Sequence, residues 1–218
     1  MKVISLDIET LNVDMDAEGL SFDNPKGWQT SCICIYDFRN KGRYHYSINA
    51  LEINDRISDF EVYPFSFLFD DLEEWFYNGY TLVTHNGKAF DLPILRKTVE
   101  EGGADLSNVL ELFSEEHEIK GPRHIDTCAY LLEHSGGWRF SLQNLIKSLL
   151  GSKESKLMDG AEAPKAWANG EYERVLEYCM GDAFYTAQVF YHARRDGKIV
   201  APARKNGIED TIKVRVNW

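Results

Sequence analysis

The first residues of the chain alternate between apolar and polar side chains, a period of two that a β-strand divides between its two faces. The apolar positions are Ile4, Leu6 and Ile8. A strand over residues 2–9 therefore turns these side chains into a core and places Asp7 and Glu9 side by side on the opposite face. This requirement for a core on one side and a polar site on the other constrains the fold more than any other feature of the sequence.

The remaining elements predict a sheet with helices packed on it. Strands are predicted at residues 30–38 and 42–48 after a polar loop at 12–27, and three strands in series indicate an antiparallel start. Then follow an irregular segment at 55–64, a helix at 67–77, a strand at 80–84, a helix at 89–101, an apolar stretch at 125–132 and helices at 141–150 and 172–195. A hairpin about Asn206-Gly207 completes a C-terminal extension, residues 196–218. The predicted fold class is α/β, a mixed sheet flanked by helices.

Length and composition indicate an ordinary globular protein. A chain of 218 residues with 44% hydrophobic and 27% charged residues is predicted to form a single domain, residues 1–218. No apolar run approaches the roughly 20 residues that span a bilayer. Two acids within the first nine residues are incompatible with the apolar core of a signal peptide. We therefore expect no membrane partner and a cytoplasmic location.

The net charge of −11 argues against a broad basic surface for nucleic acid, since phosphate binding normally draws on Lys and Arg. Metal ions bound in an acidic cleft would soften this objection, because a divalent ion can dominate the local charge. The four cysteines form no CxxC pair and are expected to be buried thiols.

The paired carboxylates of the first strand are suited to metal-assisted hydrolysis. Cleaving a phosphodiester requires an acidified water and a neutralised leaving oxygen, and two divalent ions about 4 Å apart supply both. Such ions take hard oxygen ligands, and Asp7 and Glu9 lie close enough on one strand face to share an ion. An Asp-x-Glu triplet alone is expected by chance, but this one ends an apolar strand.

Two further segments carry candidate residues. Tyr178 and Asp182 are four residues apart in a predicted helix, so a phenol and a carboxylate lie on one helical face. Asp91 lies near the N-terminus of a helix that follows a strand. Each segment has an ordinary alternative. Tyr178 could pack in the core beside a solvated Asp182, and Asp91 could be favoured by the helix dipole alone. The presence of all three segments in one chain favours a site.

Together these segments resemble the three exonuclease motifs of the DEDD superfamily. They are Leu6-Asp7-Ile8-Glu9-Thr10, His85-Asn86-Gly87-Lys88-Ala89-Phe90-Asp91-Leu92-Pro93 and Tyr178-Cys179-Met180-Gly181-Asp182-Ala183. The second and third are most similar to those of the proofreading exonuclease domain of family B DNA polymerases. The resemblance covers about residues 1–195, and no polymerase-like sequence follows. It implies a stand-alone exonuclease with a ribonuclease-H-like fold.

The resemblance also implies a role for each site residue. Asp7 would bridge two Mg²⁺ or Mn²⁺ ions, and Glu9 and Asp182 would complete the site of the ion that activates water. Asp91 would hold the second ion through waters, and Tyr178 would orient the attacking water. A histidine variant places His five residues before the last acid, but that position is glutamate here. The chain therefore resembles the tyrosine subtype.

Four residues near the motifs are predicted to contact the substrate. They are Thr10, Leu11, Asn86 and Lys156. Each also has an alternative without substrate contact. Thr10 and Leu11 could be ordinary loop residues, Asn86 could form an Asn-Gly turn pair, and Lys156 could be a solvated lysine. Phe90 and Tyr36 are expected to be core residues rather than platforms for base stacking, and Asp126 is expected to have a structural role.

The sequence therefore predicts a metal-dependent 3′-5′ exonuclease that releases nucleoside 5′-monophosphates from single-stranded 3′ ends, with DNA favoured over RNA. The alternatives are an exoribonuclease, a non-catalytic nucleic-acid-binding protein on the same fold, and an endonuclease or nucleotidyl transferase that uses other carboxylates. The presence of all four acids disfavours the non-catalytic alternative, and the last class would not require Tyr178.

Overall fold

The computed structural model describes residues 1–14, 20, 27–101, 113, 123–151 and 158–218 of the chain, with residues 98–101 described by their backbone alone. The strands are β1 Val3–Thr10, β2 Thr30–Asp37, β3 Gly42–Ser47, β4 Val62–Pro64, β5 Thr81–Thr84, β6 His124–Asp126, β7 Lys198–Lys205 and β8 Ile208–Arg215. The α-helices are α1 Ala50–Asn54, α2 Phe65–Tyr77, α3 Asp91–Glu101, α4 Thr127–His134, α5 Leu142–Leu150, α6 Ala163–Ala168 and α7 Tyr172–Asp196. A short 3-10 helix, Gly160–Glu162, precedes α6.

Six strands form one mixed sheet in the order β4-β3-β2-β1-β5-β6. The pairs β1–β2 and β2–β3 are antiparallel, which confirms the predicted antiparallel start. The pairs β3–β4, β1–β5 and β5–β6 are parallel. Strand β1 pairs with β2 through both carboxylate-bearing residues, Asp7 and Glu9, whereas its register with β5 covers Val3–Ser5.

The segment at 55–64 was expected to be irregular, and this prediction is wrong for its last three residues. These residues, Val62–Pro64, form β4 at the sheet edge. The Asn54 side chain holds β4 in place, accepting from the Val62 N–H at 2.9 Å and donating to its carbonyl at 2.8 Å. A three-residue strand fixed by a distant side chain leaves no periodic signal in the sequence.

Other boundaries also differ from the sequence prediction, since α2 begins at Phe65 rather than 67, and α1 and α6 were not predicted. The helix expected from residue 89 begins at Asp91, after a tight turn in which the Asn86 carbonyl accepts from the N–H groups of Ala89 and Phe90. A Cβ at position 87 would lie 2.5 Å from the Cβ of Thr84, closer than nonbonded carbon atoms approach. The apolar stretch at 125–132 is divided between β6 and α4, because the Asp126 side chain caps α4 by accepting from Cys128 and Ala129.

The sheet has a hydrophobic core on each face. The face that carries Ile4, Leu6 and Ile8 packs against α2 and α3, as the alternation in β1 predicted. On the other face, Cys32 and Cys34 of β2 pack against α6 and α7. All four cysteines are free thiols, and three of them are buried, in keeping with the prediction.

Helix α7 lies across β1 and β2. Side chains of the strands donate hydrogen bonds to the backbone of the helix, and a side chain of the helix donates to the backbone of β1. The buried Ser5 hydroxyl donates to the Ala183 carbonyl at 2.6 Å. The Cys179 thiol donates to the Asp7 carbonyl at 3.3 Å. Since Ser5 and Asp7 share one strand face, these contacts set how far α7 stands from the carboxylates.

The C-terminal strands form the predicted hairpin. Asn206 and Gly207 both have positive φ, 51° and 79°, which is the backbone of a two-residue hairpin turn. The inner side of the hairpin packs on α4, α5 and α7. Gly197, with a φ of 64°, ends α7 and turns the chain back along that helix.

Among the helices that the structure describes, none combines the length and the apolar character needed to cross a bilayer.

The Ser5→Ala substitution tests the link between β1 and α7. Removing the buried hydroxyl leaves the strand intact but takes a hydrogen bond from the interface, so we expect the free energy of unfolding to fall by about 1 kcal/mol. Urea denaturation measures this change. Ser58→Ala is the matched control, because that exposed hydroxyl donates to the neighbouring Asp59 and its loss should change stability by less than about 0.5 kcal/mol. Equal effects of the two substitutions would contradict a stabilising role for Ser5.

Candidate active site

A cleft of about 390 Å³ opens where β1, the loop after β5 and α7 meet. Its lining residues are Asp7, Ile8, Glu9, Thr10, Trp28, His85, Asn86, Phe90, Asp91, Asp159, Gly160, Ala161, Tyr178 and Asp182. The three sequence segments singled out above therefore meet in one place, although about 170 residues separate the first from the last.

Strand β1 delivers two of the acids. Asp7 is half-buried, Glu9 is 8% exposed, and both project from the face that α7 covers. The pairing of β1 with β2 shifts register between Glu9 and Thr10, so the strand is irregular where it enters the cleft. Thr10 itself is buried and lines the cleft beside Glu9.

The loop that carries Asn86 is held by the buried Asp126 carboxylate. One of its oxygens accepts from the backbone N–H of Asn86 at 2.9 Å, and the other accepts from the N–H of Lys88 at 2.8 Å. The first oxygen also accepts from the two N–H groups at the start of α4. Asn86 adopts a positive φ of 75°, which such bonds stabilise. Asp126 thus has the expected structural role, because it fixes the turn that leads to Asp91.

Asp91 is buried in the first turn of α3 and points towards β1. The backbone N–H groups of Asp91 itself and of Ile8 lower the pKa of this carboxyl. Burial nevertheless raises the pKa of Asp91 to about 7, with further contributions from the charges of Asp126 and Asp182. A carboxyl with such a pKa is destabilised as an anion and would gain from a nearby cation.

Helix α7 supplies Tyr178 and Asp182 from one face, as their spacing predicted. The Tyr178 ring is buried, and its hydroxyl makes a hydrogen bond with the Asp182 carboxylate. Burial and the charges of Asp182, Glu9 and Asp7 raise the pKa of Tyr178 well above its ordinary value. The phenol therefore keeps its proton at neutral pH and acts as a hydrogen-bond donor.

The acids of the cleft interact strongly through their charges. Burial raises the pKa of Asp7 well above its usual range, and the charges of Asp182, Asp91 and Glu9 raise it further. In the described part of the chain, however, no group of three or more His, Cys, Asp or Glu side chains is arranged so that it could hold a metal ion. The carboxylates line the cleft without converging on one point, as mutual repulsion would favour.

The structure brings some of the predicted substrate residues to the cleft and not others. Thr10 and Asn86 line it, whereas Leu11 packs partly buried against the core below α7. Lys156 lies outside the described residues. Tyr36 is buried as expected. Phe90 packs against the core as predicted, and its half-buried ring also lines the cleft.

Several cleft residues were not found from the sequence. Trp28 follows a polar loop with no periodic pattern, and its ring packs edge-on against Phe90 at 5.5 Å between centroids. His85 donates from Nε2 to the Phe140 carbonyl at 3.1 Å, a contact across the fold. Asp159 and its two neighbours reach the cleft from the segment before α6. Two of these positions offered a signal, since His85 opens the second motif and Asp159 lies three residues after Lys156.

The sheet order, the helices on both faces and the acidic cleft define the class of the protein, an α/β exonuclease fold of the ribonuclease-H-like kind. The structure matches the family B DNA polymerase of the hyperthermophilic archaeon Pyrobaculum calidifontis with a TM-score of 0.57 and 13% sequence identity. The match covers 90% of this chain and 24% of the polymerase, so this chain spans about a quarter of that protein. At this identity the likeness shows the fold.

The family follows from the sequence itself. Residues 33–209 match the family described as a predicted 3′-5′ exonuclease related to the exonuclease domain of PolB, and the chain belongs to that family. Asp91, Tyr178 and Asp182 lie within the matched residues, while Asp7 and Glu9 precede them.

The Asp126→Asn substitution tests the support of the Asn86 loop. An amide presents one acceptor oxygen and turns an N–H₂ group towards backbone donors, so at least the Lys88 bond is lost. We expect the free energy of unfolding to fall by about 2–4 kcal/mol, since hydrogen bonds to a buried charge are the stronger ones. Asp210→Asn, an exposed acid on β8, is the control and should change stability little. A similarly small effect at position 126 would show that other contacts hold the loop.

Proposed function

We propose that this protein is a 3′-5′ exonuclease that hydrolyses single-stranded DNA from its 3′ end to nucleoside 5′-monophosphates, with two Mg²⁺ or Mn²⁺ ions in the cleft. One observation carries the proposal. A single cleft gathers the four acids of the three motifs and a protonated tyrosine in a chain that belongs to a family of predicted 3′-5′ exonucleases.

The donor set is suited in kind to divalent cations. Asp7, Glu9, Asp91 and Asp182 offer hard carboxylate oxygens, the ligands that such ions prefer. Burial, with smaller contributions from the charges of neighbouring acids, raises the pKa of Asp7 and Asp91, so a nearby cation would stabilise their anionic forms. Bound ions would supply that positive charge, and with it an acidified water and a neutralised leaving oxygen.

Tyr178 is proposed to position the attacking water. Its hydroxyl lies at the edge of the cleft beside Asp182, and its pKa keeps it a donor. A fixed donor next to the acids can orient a water while they accept its protons. Gly160 faces the same hydroxyl, and a Cβ at that position would lie 3.6 Å from the phenol oxygen. The small residue therefore leaves room beside the tyrosine.

The aromatic lining of the cleft is suited to a terminal nucleotide. The half-buried Phe90 ring lines the cleft and packs edge-on against Trp28, so a base can stack on it. Thr10 and Asn86 are the proposed polar contacts to the sugar and phosphate. Moving a base into the cleft costs least when that base is unpaired, which favours single-stranded ends. The preference for DNA over RNA is proposed from the resemblance of the second and third motifs.

Tyr178→Phe tests the proposal through a single atom. We expect kcat for removal of the 3′-terminal nucleotide to fall about 100-fold or more, because the water loses its orienting donor while the carboxylates remain. The rise in melting temperature on addition of Mn²⁺ should persist, since no acid is removed. Stopped-flow or quenched-flow assays on a labelled single strand measure the rate, and thermal scans measure the metal response.

Tyr191→Phe is the matched control, because that tyrosine lies on the same helix and is 38% exposed, away from the cleft lining. It should retain the full rate. A Tyr178→Phe protein as fast as the parent would contradict the tyrosine mechanism, and an endonuclease or transferase that uses other residues would then be the better reading.

A further inference from the structure

Positive charge in this acidic chain is concentrated in the C-terminal hairpin. Residues 198–215 include five basic and two acidic side chains, a net charge of +3, although the whole chain carries −11. The hairpin therefore has the opposite sign from the rest of the molecule. A segregated basic surface of this kind is the electrostatic footprint of a polyanion site.

Strand alternation places most of these cations on one side. The inward residues of the hairpin are apolar and pack on the helices below. The outward positions include Lys198, Arg204, Lys213 and Arg215, all of which are exposed, and also Glu209, which pairs with Arg204 at 2.8 Å. We call the four basic residues the hairpin face.

Basic side chains of the hairpin face lie close enough to repel one another, although the packing of the hairpin does not require charged residues at these positions. Lys198 and Arg215 lie directly opposite each other in the β7–β8 register, and Lys213 is the diagonal neighbour of Lys198. Like charges in such positions destabilise a strand pair. Within the described residues none of these three side chains forms an ion pair. Asp196, the nearest acid along the chain, is held by Arg195 at 2.7 Å.

The tip of the hairpin is joined to the wall of the catalytic cleft. Arg204 and Arg139 exchange two backbone hydrogen bonds of 2.9 Å. The next residue, Phe140, accepts from His85, which lines the cleft. Arg204 of the hairpin face is therefore bonded to Arg139, the residue before the one that contacts His85 in the cleft wall. From Arg204 to Lys198 it extends about 20 Å, at roughly 3.3 Å per strand residue.

We propose that the hairpin face binds the phosphate backbone of a single-stranded nucleic acid several nucleotides upstream of the 3′ terminus. This inference rests on the proposed function, because it assigns the path that the substrate takes away from the same cleft. It also accounts for how a chain of net charge −11 holds a polyanion. The acids face the terminal nucleotide through metal ions, and the cations face the strand behind it.

The test uses the full chain with Lys198→Gln, Lys213→Gln and Arg215→Gln combined. Affinity for a single strand of about 20 nucleotides, labelled at its 5′ end, is measured by fluorescence anisotropy with Ca²⁺ in place of Mg²⁺. We expect affinity to fall on the order of tenfold or more, and the slope of log K against log salt to become shallower by about 2, at about 0.7 per lost phosphate contact. Melting temperature should not fall, because the substitutions remove repulsion.

A control protein carries Arg43→Gln, Arg56→Gln and Arg174→Gln, which remove the same charge from exposed positions on β3, after α1 and at the start of α7. Its salt slope should match that of the parent protein. Equal losses in the two triple variants would overturn the proposal, since net charge alone would then explain binding.

Hydrolysis of a trinucleotide separates this inference from the proposed function. A trinucleotide is too short to reach the hairpin face, so parent and hairpin variant should cleave it at the same rate while KM rises only for the long strand. If neither protein cleaves the trinucleotide, the proposed exonuclease activity is contradicted. The anisotropy measurement still decides whether the hairpin face binds the strand. Loss of binding to vesicles that contain anionic lipid, with DNA affinity unchanged, would overturn the hairpin proposal in favour of a membrane surface.

Discussion

The packing of helix α7 across strand β1 is the constraint on which the rest of the structure depends. The helix brings Tyr178 and Asp182 to the carboxylates of β1, and the Ser5 and Cys179 hydrogen bonds set its distance from the strand. The residues at that interface are small, including Ala183 and Ala187, so the helix lies close to the sheet. A larger residue there would separate the two halves of the cleft. The catalytic geometry is thus a consequence of a close helix-to-sheet contact.

This arrangement has an electrostatic cost that explains the properties of the site. Burial raises the pKa values of both Asp7 and Asp91, and the charges of neighbouring acids raise them further. The protein retains these acids where an apolar core would be more stable, which is the usual sign of a functional site. The hairpin has the opposite arrangement, since Lys198 and Arg215 lie opposite each other, while Arg204 pairs with Glu209 at 2.8 Å. Under the proposals above, the two surfaces would be complementary to parts of one ligand, its terminal phosphate in the cleft and its backbone phosphates beyond it.

Local patterns in the sequence predicted much of the fold and the centre of the site. The alternation in β1 and the spacing of four between Tyr178 and Asp182 each fix side-chain direction over a few residues, and the structure agrees with both. The missing parts depend on contacts between distant residues. Strand β4 is held by Asn54, and Trp28 enters the cleft wall from a segment without periodicity. Phe90 was assigned to the core because its sequence neighbours are apolar, whereas its exposure depends on how the turn at Gly87 directs the start of α3.

The most direct test of the central claim is digestion of matched 3′-labelled and 5′-labelled DNA and RNA oligonucleotides with Mg²⁺, Mn²⁺ or chelator, in parallel with Asp7→Ala. With 5′ label, the account predicts a metal-dependent ladder that shortens one nucleotide at a time from the 3′ end, faster on DNA than on RNA. With 3′ label, it predicts release of the labelled mononucleotide as the first product. Asp7→Ala should show neither. Faster shortening of RNA than of DNA would support the same mechanism with RNA as the substrate. No cleavage of either nucleic acid with any metal would contradict the account and indicate a binding protein on this fold.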